Sequence, residues 1–279
     1  MHYLLATVIA GAGFFLYAEP AKWLVQSWQT NSYYQHGFLL LGVSIFIAVW
    51  KLTKTCGPVG KNSWAYLLTA SILLSIAGDW LGSNTFKALP IFLILLSLAY
   101  LPGFRLPSHE LRFPILLPAL AIPLPFLPEI TAFLQFSMVQ ISTTILQFLG
   151  FKIHAEGALI HLSKGDVILG GPCSGIQSLI SLVTLMVLAV YFTKITLKKK
   201  VLLCFFAIPI ALMGNLIRIL LFLIAGSYYN VEIVSARWHD VGNICFFVFS
   251  LLLMSGVWYL VVQRGTYLSC RDSKNPISR

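Results

Sequence analysis

Apolar runs long enough to cross a hydrocarbon core, which takes about 20 helical residues or slightly fewer, recur from one end of this chain to the other. Only short polar breaks separate them. With 58% of its residues hydrophobic and 10% charged, the chain has too few polar side chains to cover a surface that faces water. The sequence therefore predicts an all-α, polytopic membrane protein with no soluble domain of useful size. Residues 1 to 18 lack the basic start and small-residue cleavage site of a signal peptide and are expected to form a retained first helix.

Hydropathy places about eight transmembrane helices: Tyr3 to Tyr17, Gly37 to Leu52, Trp64 to Leu81, Ala88 to Leu101, Phe113 to Leu127, Ser174 to Phe192, Val201 to Ile224 and Val241 to Val262. Eight crossings put both termini on one side. On that side fall Lys51, Lys54, Lys61, Arg105, Arg112, Lys194, Lys198, Lys199, Lys200, Arg264, Arg271, Lys274 and Arg279, which are 13 of the 19 basic residues. Lys and Arg concentrate in cytoplasmic loops, so both termini are expected inside. The expected organisation is one transmembrane domain over residues 1–264 and a basic cytoplasmic tail over 265–279, in the inner (plasma) membrane. The net charge of +10 sits in clusters at helix ends and not along one stripe, which argues against nucleic acid as a partner.

Residues Glu129 to Leu149 are long and apolar, yet a ninth crossing there would reverse every later loop. Gln135, Gln140, Thr144 and Gln147 recur opposite Phe133, Phe136 and Ile141, which suits a helix lying in the outer interface. Prolines at 114, 118, 123, 125 and 128 make the span before it irregular. From Lys152 to Leu169 the residues turn β-like around Ser163-Lys-Gly-Asp166, predicting a small extracytoplasmic hairpin.

Three residues converge by helix counting. Cys173, in Gly170-Gly-Pro-Cys-Ser-Gly-Ile, precedes an apolar helix ending at Lys194, roughly 31 Å away at 1.5 Å per residue. A thiol at a helix N-terminus feels the positive end of the dipole, which favours the thiolate. Arg218 lies 18 residues beyond Lys200, roughly 27 Å up its own helix, and Asn215 shares its face. An arginine in an apolar helix costs several kcal/mol unless it is paired, so it is a functional candidate. Counting back from Arg264 brings His239 to the same outer depth. Histidine can relay a proton between thiol and leaving amine, and arginine can hold an oxyanion, so the three suit acyl transfer.

Plainer readings stand beside this one. Cys56, Cys204, Cys245 and Cys270 read as packing residues, and no second cysteine in an outer loop offers Cys173 a disulfide. Arg218 could snorkel to headgroups, and His239 could cap a helix. His154 and His161 are rival bases, and with Cys173 and Asp240 they raise a metal site, although no close ligand spacing supports one. Neither metal nor another cofactor is expected. A transporter or lipid-flipping protein, with Arg218 and His239 on an anionic substrate, is the rival from another class, but inverted repeats and broken midplane helices are missing from the pattern.

Three short signatures in order, Cys173-Ser-Gly-Ile176, Asn215-Leu-Ile-Arg218 and His239-Asp-Val-Gly242, resemble those of the exosortase/archaeosortase family of membrane transpeptidases. Tyr33-Tyr-Gln-His-Gly37 looks like that family's Tyr-Ser-His-Gly element, with glutamine in place of serine. The residues before the cysteine, Gly171-Pro172, depart from the glutamate and alanine of many members. The resemblance implies a cysteine transpeptidase that cleaves C-terminal sorting signals (PEP-CTERM-like) of exported proteins at the outer face. Each such partner carries a short motif, a transmembrane helix and a basic cluster. It implies Cys173 as the nucleophile that forms a thioester, His239 as acid/base and Arg218 as a stabiliser of the site. Asn215, Ser174, Tyr33, His36 and Asp240 follow as supporting or substrate-binding residues.

Overall fold

The computed structural model describes residues 2–52, 63–101, 108–229, 242 and 244–262. The chain forms two compact units, Met1–Leu127 and Pro128–Arg279. The predicted tail over 265–279 lies outside the described residues.

In the first unit α1 (His2–Thr30), α2 (Gly37–Leu52), α3 (Ser63–Trp80), α4 (Asn84–Ala99) and α5 (Ser108–Leu116) are followed by a 3-10 turn, Leu117–Ala121. Helix α1 is twice the predicted length and runs on through Pro20. Hydroxyls join α1, α3 and α4: Ser71 Oγ lies 2.7 Å from Tyr17 Oη and donates to the Pro90 carbonyl, and Ser97 donates to the Trp64 carbonyl. Both serines are fully buried. Lipid gives helices no hydrophobic reason to associate, so small residues and interhelical hydrogen bonds do that work. Large apolar side chains point outward instead, among them Phe15, Leu39, Phe46 and Trp80. A water-soluble protein would not carry so much contiguous apolar surface.

The predicted span Phe113 to Leu127 is broken. Pro114 lies in α5, Pro118 opens the 3-10 turn, and the chain runs on irregularly through Pro123 and Pro125. Each proline removes a backbone donor and crowds the preceding turn, so the run cannot continue as one α-helix.

The second unit begins with α6 (Leu127–Phe148), followed by strands β1 (His154–Glu156), β2 (Leu159–Leu162) and β3 (Gly165–Ile168). A 3-10 turn (Gly171–Ser174) leads into α7 (Ile176–Phe192), α8 (Leu197–Tyr228) and α9 (Ile244–Val262). Among the described residues, α8 and α9 are the two helices long and apolar enough to cross a bilayer by themselves. Helices α2, α4 and α7 are apolar but have 16, 16 and 17 residues, about 24 to 26 Å of rise against a core of about 30 Å. The structure therefore bears out the all-helical class and two full-length spans, and leaves the eight-crossing count without support from helix lengths.

The predicted hairpin is a three-stranded antiparallel meander, because β1 was hidden in a segment too short to show alternation. Its turn, Gly157–Ala158, depends on Gly157 at φ +63°. Ile160 pairs with Val167, and with Leu162 they pack against Val139 and Leu146 of α6 and Ile219 and Leu223 of α8. The polar residues of α6 are not simply a face toward water: Gln135 donates to the Leu169 carbonyl and Gln147 to the Ile153 carbonyl. Phe133, Phe136 and Ile141 are exposed, as expected from the sequence. At the far end of the sheet, Lys164 donates to the Tyr228 carbonyl, where the negative end of the α8 dipole favours a cation.

A second core joins Leu182, Met186 and Val190 of α7 to Leu203, Ala207 and Ala211 of α8 and Met254 of α9. Helices α8 and α9 meet closely at Gly214, where a Cβ would stand 2.3 Å from Ser250 Oγ.

Candidate active site

Cys173 lies in the 3-10 turn, with its N–H donated to the Gly170 carbonyl at 2.9 Å. This is not the first turn of α7. That helix starts at Ile176, and Gly175 between them has φ +80°. The helix dipole is thus not the main influence on the thiol. Burial pushes the Cys173 thiol above its ordinary value, and the nearby Arg218 charge and hydrogen bond, with the Gly170 backbone, pull it partly back.

Arg218, on α8, is the hydrogen-bonding neighbour of that thiol. Counting 18 residues from Lys200 put the two at one depth, and the structure brings them into contact. One turn earlier, Asn215 Nδ2 donates to the Cys173 carbonyl at 2.8 Å. Asn215 is 4% exposed, so this bond forms in a nearly dry place where losing a partner is costly. Ser174 is fully buried, and its Oγ accepts the Ile176 N–H at 3.3 Å, which turns the chain into α7.

Gly175 is the residue whose role the sequence did not disclose. Its left-handed φ disfavours any side chain, and a Cβ would come within 2.8 Å of Asn215 Nδ2 and 2.9 Å of its Cγ. The Cys-Ser-Gly-Ile and Asn-Leu-Ile-Arg signatures therefore interlock: the glycine makes room for the asparagine that holds the cysteine. We expect Gly175→Ala to lower processing activity at least tenfold at equal protein abundance. Gly157→Ala is the control, since Gly157 has a similar φ of +63° but nothing near its missing Cβ. Both incur a backbone penalty of about 1–2 kcal/mol. Equal activities of the two variants would show that the Asn215 contact does not matter.

The rival bases His154 and His161 are cross-strand partners. Alternation puts them opposite Ala155 and Ile160, whose face packs on the cluster that includes Cys173. His161 Nδ1 instead meets Asp166 Oδ1 at 2.9 Å on the exposed face. His239 and Asp240 lie outside the described residues.

Tyr33 and His36 belong to the first unit. Tyr33 N–H donates to Asn31 Oδ1 at 3.0 Å, and Tyr34 Oη accepts the Leu124 N–H at 3.0 Å. Gly37 admits the Trp28 indole, whose Nε1 donates to the Ala121 carbonyl at 2.8 Å. His36 stacks on Tyr34, and burial lowers its pKa. The Tyr-Tyr-Gln-His-Gly element therefore locks the α1–α2 turn onto the proline-rich segment.

These features define a predominantly helical membrane protein with a half-buried thiol set against an intrahelical arginine. The family model of the transmembrane exosortases matches residues 28–256, and the chain belongs to that family. No curated protein and no solved structure matches it.

Proposed function

We propose that this chain is a membrane cysteine transpeptidase that cleaves C-terminal sorting signals of exported proteins through a thioester on Cys173. The observation that carries the reading is the hydrogen-bonded contact between the Cys173 thiol and Arg218, with the Cys173 carbonyl held by Asn215. Family membership supports a transpeptidase or protease role.

In this reading His239 takes the thiol proton, and the sulfur attacks the scissile carbonyl. Arg218 stabilises the negative oxygen of the tetrahedral intermediate, because its planar donors act in a largely desolvated site. Collapse of the intermediate breaks the C–N bond, and His239 returns the proton to the departing amine. The thioester then passes its acyl group to an amine or to water, which restores the thiol. The half-buried thiol, pushed above its ordinary pKa, makes such a proton acceptor necessary at neutral pH.

The same reading sets the site at the extracytoplasmic face of the inner membrane, with both termini cytoplasmic by the charge asymmetry of the loops. The substrates are exported proteins that end in a short motif, a transmembrane helix and a basic cluster. Co-expression with a tagged protein of that design should give a smaller product that depends on this chain. A substrate of unchanged size under full expression of both proteins would overturn the proposal. For the topology, an impermeant thiol reagent applied outside should label Cys173, and Cys270 only after permeabilisation. The reverse pattern would place the site on the other face.

A further inference from the structure

The edge of the sheet nearest the thiol is built for pairing with another chain. Just beyond β3 the Leu169 N–H donates to the Ala158 carbonyl at 2.9 Å, which fixes the register of hydrogen-bonded pairs as 158 with 169, 160 with 167 and 162 with 165. The backbone N–H and C=O groups of Asp166 and Ile168 therefore point away from β2. Among the described residues β2 is the only strand paired with β3. Edge strands are usually protected by lysine, proline, a bulge or a cover. This one has no proline, its neighbouring Lys164 is occupied with Tyr228, and Ile168 stands 73% exposed.

Position gives the edge its occupant. Beyond Ile168 the chain runs through Leu169, Gly170, Gly171 and Pro172 to Cys173, a path of no more than about 17 Å. Both backbone groups of Leu169 are held, by Ala158 and by Gln135, so the strand is anchored where it turns toward the thiol. We infer that an extended segment of the substrate, next to its scissile bond, docks as a fourth strand on the outer edge of β3, which no other described strand occupies. Main-chain pairing of this kind supplies affinity from any sequence, and pockets for alternate side chains add selectivity. Asp166 and Ile168 also place one carboxylate and one apolar side chain on the same face, beside that strand.

This inference rests on Cys173 as the nucleophile, and the test separates the two ideas. Binding is measured to the Cys173→Ala chain, which needs no catalysis, with a short synthetic peptide carrying the recognition segment of the co-expressed substrate. A series of such peptides, each N-methylated at one position, should lose affinity about tenfold at every second residue and little between, because only alternate N–H groups face the edge. Ile168→Pro, made in the same background, deletes one outward N–H while sparing the ladder to β2, and should weaken the unmodified peptide about tenfold. Alkylation of the thiol in an otherwise wild-type Ile168→Pro chain reports whether the fold around Cys173 survives. If it does not, the N-methyl series decides alone. Loss of affinity without two-residue alternation, or no binding of the unmodified peptide, would overturn the docking edge. Alternation together with a wild-type chain that leaves the peptide uncleaved would instead overturn the nucleophile.

Discussion

Cys173→Ala should leave a co-expressed sorting-signal substrate uncleaved, and Cys173→Ser should do nearly the same, with a loss of at least about a thousandfold in rate. Alanine removes the attacking atom. Serine keeps a nucleophile of similar size, but its hydroxyl is far harder to ionise in a place where burial already pushes the thiol up. Cys204 is half-buried in the core shared by α7, α8 and α9, and Cys245 is exposed on α9. Among the described residues neither is paired with an arginine, so Cys204→Ala and Cys245→Ala should keep most of the activity. Cleavage at the normal rate by Cys173→Ala would end the thiol mechanism.

Arg218→Lys should fail almost as badly as Arg218→Ala, although it keeps the charge. Guanidinium presents a planar fork of donors that can hold the sulfur and a developing oxyanion together, whereas an ammonium is a compact point charge on a flexible stem. Losing an oxyanion donor costs about 3 kcal/mol, or roughly a hundredfold in rate. If Arg218 only reached toward headgroups, lysine would serve equally well. Both variants must be compared at wild-type abundance in the membrane. A fully active Arg218→Lys chain would leave Cys173 without an oxyanion partner.

The parts of the site that sequence reasoning found were those fixed by a long regular helix. Arg218 could be counted up from Lys200 because α8 is unbroken over that distance, with Pro209 inside it. Asn215 followed because residues three apart share a helix face. Short irregular pieces defeated the same method. The sequence opens α7 at Ser174, directly after Cys173, since nothing in Gly-Pro-Cys-Ser-Gly announces that Gly175 is left-handed while Gly171 is not. Periodicity puts the α6 glutamines on one face, opposite Phe133, Phe136 and Ile141, and is silent about what lies against that face. Here it is partly backbone carbonyls of the sheet segment. Prolines signalled trouble before α6, and they broke the predicted fifth span.

Two attachments of the segment that carries Cys173 to α8 are spaced along that helix, at Asn215 and at Tyr228. Thirteen residues separate them, or about 20 Å of axis. A strip of chain fastened at two points to one rod cannot swing as a flap, and it follows whatever tilt or piston motion the rod makes. Sulfur and guanidinium therefore travel in one frame, and movement of the surrounding lipid leaves their separation unchanged. In the proposed reaction the mobile partner is the arriving peptide, brought to a fixed anvil.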